Sequence, residues 1–139
     1  MRKVSKADQD SEMNIEIKEA QGLPEQIVEL EKQASKEGFA FVQRLIDEYQ
    51  SAKNRFDQPG EFLLFAYDQD KLIACGGLNQ QWNDQEVEQG IGRVRRFYVL
   101  PEYRKHGVGK LLLQFLEKKA RPHFSALCLD TETKSAAHF

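Results

Sequence analysis

The residues of this chain best suited to chemistry stand together as Arg104, Lys105, His106, Gly107, Val108, Gly109 and Lys110. A helix is predicted immediately behind them, because Val108, Leu111, Leu112, Phe115 and Leu116 recur at helical spacing on one face. The four residues before it include no Ser, Thr, Asp or Asn, so no side chain stands ready to accept from the free first-turn N–H groups. Cations are also gathered where the helix macrodipole is already positive, which opposes folding unless an anion compensates. Gly107 and Gly109 let a ligand approach the main chain closely, while Arg104, Lys105 and Lys110 supply countercharge. The pattern therefore points to an anion of the phosphate type held at a helix N-terminus.

Two familiar phosphate loops do not fit these residues. A nucleoside-triphosphate loop requires GxxxxGK followed by Ser or Thr, but Arg104 takes its first glycine position and Leu111 its hydroxyl position. A dinucleotide fingerprint GxGxxG could use Gly107 and Gly109, with Asp130 at a tolerable distance for a ribose contact. Leu112, however, occupies the third glycine position.

The elements that must position this loop can be read on either side of it. Residues 1–12, MRKVSKADQDSE, are polar and unpatterned and are expected to form a flexible tail. NIEIKEA alternates as a strand, and LPEQIVELEKQASKEG reads as a helix with Pro24 in its first turn and Gly38 as its stop. Phe41, Val42, Leu45, Ile46 and Tyr49 mark a second helix, ended by the loop NRFDQPGE. EFLLFAY and KLIACGGL predict a hairpin, and Gly76 and Gly77 mark a bulge or a close approach. NQQWNDQEVEQG reads as a polar loop, IGRVRRFYV as a third meandering strand and FSALCLD as a strand after the helix. The unit from residue 91 to residue 130 is long enough to cross between parallel strands. Ala136 and Ala137 suggest one more helix beginning in TETKSAAHF.

RKHGVG matches the [QR]-x-x-G-x-[GA] signature of the GNAT superfamily of acyl-CoA-dependent N-acyltransferases, and FYVLPEYR resembles the strand and loop before that signature. The order of elements from residue 13 to residue 130 is also similar to the family's. The resemblance implies an α/β fold over 13–139, a mixed, mainly antiparallel sheet flanked by helices in the order β-α-α-β-β-β-α-β. The family's last two strands have no counterpart in this reading. It further implies acetyl-CoA as cosubstrate, with its pyrophosphate on Arg104, Lys105, His106, Gly107, Val108, Gly109 and Lys110, mainly through main-chain amides. The strand at Phe97, Tyr98 and Val99 would pair with the pantetheine arm as an added strand.

Acetyl transfer to an amine needs a neutral nucleophile, a stabilised oxyanion and a leaving thiolate that gains a proton. A backbone N–H near Phe97 or Val99 could polarise the thioester carbonyl, a contribution on the order of 3 kcal/mol. An alkylammonium of pKa about 10 must lose its proton to a base or water chain. In relatives a tyrosine after a motif resembling N-x-x-A-x-x-F-Y protonates the thiolate. With Ala136 and Phe139 on the Ala and Phe positions, Thr133 takes the Asn position and the sequence stops one residue before that tyrosine. No catalytic residue is assigned, with Tyr98, Glu61 and Glu86 as participants to be weighed. Arg93, Arg95 and Arg96 either attract a carboxylate-bearing acceptor or are solvated strand arginines.

Composition bounds the partners. The 139 residues make one domain, and 40% hydrophobic residues can build a core. With 20 Lys plus Arg against 22 Asp plus Glu and a pI near 5.9, the chain has no general footprint for nucleic acid or an anionic membrane. Cys75 and Cys128 lie in apolar runs as reduced thiols, and no Cys/His cluster has metal-ligand spacing. No apolar run approaches the ~18 residues of a membrane span, so a cytoplasmic location is expected. The acceptor is expected to be a small-molecule or peptide amine. An uncovered edge at FSALCLD implies either an oligomer with strand exchange, such as a homodimer, or reduced stability. The alternative to an enzyme is a non-catalytic acyl-CoA-binding or sensing module.

Overall fold

The computed structural model describes residues 14–83 and 85–129. The polar tail, Asp130 and the final fragment with Thr133, Ala136 and Phe139 lie outside the described residues. The chain opens with β1 (Ile15–Glu19), α1 (Ile27–Lys36) and α2 (Phe41–Gln50). The meander β2 (Phe62–Asp68), β3 (Lys71–Asn83) and β4 (Glu86–Val99) follows. A 3-10 turn (Pro101–His106), α3 (Val108–Ala120) and β5 (Ala126–Leu129) complete the order. The strands form one sheet in the order β1-β2-β3-β4-β5. All neighbours are antiparallel except β4 and β5, which α3 joins as a parallel pair from Ile91↔Ala126 to Val94↔Leu129. This is the mixed, mainly antiparallel α/β architecture expected above.

Two adjacent glycines reveal how the layers lie, because successive strand residues point to opposite faces. A Cβ on Gly76 would stand 2.9 Å from the Phe97 ring and 3.6 Å from Leu112 of α3. A Cβ on Gly77 would meet the Phe56 ring at 2.5 Å, on the face of the loop that follows α2. So side chains, rather than another backbone, claim the space above both glycines. The predicted bulge is present as well. Cys75 pairs with Tyr98 and Gly77 with Arg95, leaving Arg96 and Phe97 opposite Gly76 alone. Arg96 takes the left-handed conformation there, with φ of 58°.

Helix α1 starts later than its sequence suggested, since Pro24 accepts a turn bond from the Ile27 N–H at 3.0 Å and stands before the helix. Gln26 then clamps α1 to the β2–β3 hairpin. Its amide group donates to the Asp70 carbonyl at 2.8 Å and accepts from the Leu72 N–H at 2.8 Å. Gly38, at φ of 87°, ends the helical run as predicted.

Three further expectations are corrected. The stretch read as a polar loop is the end of a long hairpin, with Trp82 paired to Val87 and Asn83 to Glu86. Backbone pairing sustains it, and among its described side chains only the polar Asn79 is buried, so no apolar stripe announces a strand. The segment before α3 is a 3-10 turn, begun by Pro101, whose fixed φ suits a first-turn position. Phe115 is half exposed, at 50%, whereas Val108, Leu112, Leu116 and Ala120 are buried. The buried stripe is rotated toward the small residues Gly109 and Ala120, which let α3 lie close to the sheet, and Phe115 falls at its edge.

Candidate functional site

Gly107 begins α3 in the left-handed conformation, with φ of 79° and ψ of 7°, and no side chain caps the helix. The first helical bond runs from the Leu111 N–H to the Gly107 carbonyl at 3.0 Å. The amides of Val108, Gly109 and Lys110 precede it and have no intrahelical acceptor. A Cβ on Gly107 would meet nothing within 4 Å. The helix start is therefore both uncapped and open, which suits an anion bound through main-chain N–H groups. Val108 is buried and anchors the turn, while Lys105, His106 and Lys110 are exposed around it. Gly109 lies against β4, its added Cβ falling 3.7 Å from Val99 and 4.0 Å from Phe97.

Arg104 is used differently from the other cations of the loop. Its Nη1 and Nη2 donate to the two Glu37 carboxylate oxygens at 2.8 and 2.6 Å, a bidentate pair. Its Nε donates to the Val99 carbonyl at 2.9 Å, and its guanidinium lies 5.4 Å from the Tyr98 ring centroid. The Tyr98 hydroxyl donates to Glu37 Oε1 at 2.6 Å. The Arg104 hydrogen bonds hold the Glu37 carboxyl below the usual carboxylate range, outweighing the opposing effect of burial. Burial, followed by the bond to Glu37, pushes the Tyr98 phenol well above its ordinary range. The 3-10 turn is also pinned at Tyr103, whose hydroxyl donates to Asp68 Oδ2 at 2.7 Å. Burial and then that bond push the Tyr103 phenol up to about 12.

The strand residues Phe97, Tyr98 and Val99 divide between the two faces. Phe97 and Val99 lie toward α3, beside Gly76 and Gly109. Tyr98 is buried on the other face, where its ring meets Phe39 and Phe41 edge-on at centroid distances of 6.4 and 6.0 Å. The described β4–β5 pairs run from Ile91↔Ala126 to Val94↔Leu129, and β4 itself extends to Val99, just before the 3-10 turn that leads into α3.

Arg96 is neither a solvated strand arginine nor an open one. It is 4% exposed, and its Nη2 donates to Glu48 Oε1 at 3.0 Å. Its carbonyl accepts from the Cys75 thiol at 3.2 Å, and burial pushes that thiol up to about 12. Arg93 and Arg95 are partly exposed. The weighed acid–base candidates have other duties. Glu61 accepts from the N–H groups of Gln58 at 3.1 Å and Gln80 at 2.9 Å, closing the loop after α2. Glu86 is exposed near the far tip of the β3–β4 hairpin.

Glu37 and Glu48 did not emerge from the sequence, although a signal for both was present. Each lies at the C-terminal end of its helix, Glu37 as the C-cap of α1 and Glu48 in the last turn of α2. An acid is disfavoured at that negative end of the macrodipole unless a cation meets it. Arg104 and Arg96 are those cations.

Comparison with known proteins bears on this geometry. The model of the acetyltransferase (GNAT) family matches residues 25–139. A search of curated proteins finds no match. Among solved structures, a protein from Exiguobacterium sp. 255-15 assigned as an acetyltransferase is 29% identical, with a TM-score of 0.77 over 88% of this chain and 80% of that one. A GNAT family acetyltransferase from Staphylococcus aureus is 20% identical, with a TM-score of 0.60 over 91% and 93% of the two chains. An acetyltransferase from Streptococcus agalactiae 2603 is 21% identical, with a TM-score of 0.66 over 86% and 74%. The last two share the fold, and the family match supports acyl transfer as the general class of activity. The uncapped helix that starts within RKHGVG, the bulged strand before it and the family match over most of the chain have one explanation, that this chain belongs to the GNAT acetyltransferase family.

Proposed function

We propose that the chain moves an acetyl group from acetyl-CoA directly to an amine of a small molecule or peptide. The observation that carries this reading is the open, uncapped start of α3, where Gly109 lies beside Phe97 and Val99 of β4. In it, the amides of Val108, Gly109 and Lys110 hold the diphosphate, with Lys105 and Lys110 as countercharge and His106 at the rim. The Phe97, Tyr98 and Val99 backbone receives the pantetheine arm as an added strand. When bound, acetyl-CoA supplies the activated acyl group, and a backbone N–H at Phe97 or Val99 polarises its carbonyl. A cytoplasmic enzyme belongs to the same reading; among the described residues no helix is long and apolar enough to cross a membrane. So does a homodimer, the assembly expected above from the strand FSALCLD.

One observation favours a second reading, a non-catalytic acyl-CoA-binding module. The Tyr98 hydroxyl and the Glu61 carboxylate are committed to structural bonds and are poorly placed to move protons. Two measurements separate the readings. In a heat-stability scan, acetyl-CoA at a hundred times its Kd should add about 2.7 kcal/mol to the native state. Free thiol should then accumulate when the protein is given acetyl-CoA and a panel of amines. Stabilisation without thiol release favours the module, and no stabilisation at all rejects both.

A further inference from the structure

Glu37 makes more bonds than the end of α1 requires. Its carboxylate accepts from the Tyr98 hydroxyl and from two nitrogens of Arg104, and the third nitrogen of that guanidinium is on the Val99 carbonyl. A planar guanidinium held at all three nitrogens has no freedom to turn. Val99 is the last residue of β4, and Arg104 belongs to the 3-10 turn that leads into Gly107. The Arg104 side chain thus staples the entry and exit of the segment that aims the first amides of α3. Glu37 holds the staple shut from the corner between α1 and α2, where Phe39 and Phe41 pack on Tyr98.

We propose that Glu37 is a positioning residue for coenzyme A, presetting the loop from Arg104 to Lys110 by fixing Arg104 against Val99. The inference rests on the reading of that loop as the diphosphate site. It assigns Arg104 a mechanical duty, with its charge spent on Glu37, and leaves the diphosphate to the main-chain amides and to Lys105 and Lys110. It also links the α1–α2 corner physically to the cofactor loop. Without Glu37 the segment must be ordered when the ligand arrives, and that cost falls on affinity.

The test is calorimetric titration of coenzyme A into the full chain and three variants, Glu37→Gln, Arg104→Lys and the double substitution, each with its melting midpoint recorded. Glu37→Gln keeps the volume of the side chain and removes its charge, and Arg104→Lys keeps the charge but cannot bridge Glu37 and Val99 together. Each single variant should weaken binding about tenfold, the size expected for one preorganised long side chain. The double variant should be no weaker than the singles, because both break one staple. The split between binding and folding matters here, since a purely structural glutamate would lower the melting midpoint and leave the Kd of the folded protein unchanged. Unchanged Kd in Glu37→Gln overturns the proposal. So does wild-type affinity in Arg104→Lys, or tighter binding by Glu37→Gln with a steeper salt dependence, which would make Arg104 a phosphate ligand that Glu37 restrains. If the wild-type chain itself fails to bind, the reading of the loop fails instead, so the two failures are distinguishable.

Discussion

Gly107→Val should weaken coenzyme A binding at least about a hundredfold, a loss of roughly 2.7 kcal/mol. Two separate effects act at this position. At φ of 79° the backbone is in a region that a β-branched residue avoids, at a cost of about 1–3 kcal/mol, so the loop shifts and its amides lose their aim. The new side chain would also stand in the open space before the helix start, where a Cβ meets no protein atom within 4 Å. Gly107→Ala divides these effects, since it adds the strain and a single carbon without the branch. Calorimetry on both variants, alongside their melting midpoints, checks the expectation. Wild-type affinity in a folded Gly107→Val would contradict it.

Leu112→Ala should cost about 3 kcal/mol of stability and lower the melting midpoint by roughly 10 °C. Leu112 is fully buried one turn into α3, within the stripe of Val108, Leu116 and Ala120, and it lies over Gly76 of β3. Truncation leaves a cavity between helix and sheet that neighbours fill only in part. The same side chain anchors the turn that carries the anion-facing amides, so cofactor affinity should fall along with stability. A loss below about 1 kcal/mol in thermal or urea unfolding would mean that α3 is not packed on the sheet as described.

Much of this arrangement was legible in the sequence wherever side chains record burial. The period of Val42 and Leu45 gave α2, the alternation around Ile15 and Ile17 gave β1, and the missing cap before Val108 marked the open helix start. Legibility failed where the backbone alone determines the structure. The far ends of β3 and β4 pair through main-chain bonds, and there the polar Gln80 and Gln81 are partly buried while the apolar Trp82 is exposed, so no hydrophobic period marks them. Phe115 shows that an apolar stripe predicts a helix more securely than it predicts which edge of the stripe is covered. The partners of Arg96 and Arg104 lie 48 and 67 residues away in sequence. No local pattern links residues so distant, although an acid at each helix C-terminus signalled that a cation was needed. The cations crowding the α3 start therefore had two explanations: Glu37 answers for Arg104, and Lys105 and Lys110 remain exposed around the amides.

The most direct test is an amide-detected NMR titration of the full chain with coenzyme A, following Gly107, Val108, Gly109 and Lys110 through the addition. Binding through the main chain at the start of α3 predicts that these four resonances move first and furthest, with Phe97 to Val99 close behind. Saturable binding that leaves all four unmoved, or no binding at all, would contradict it.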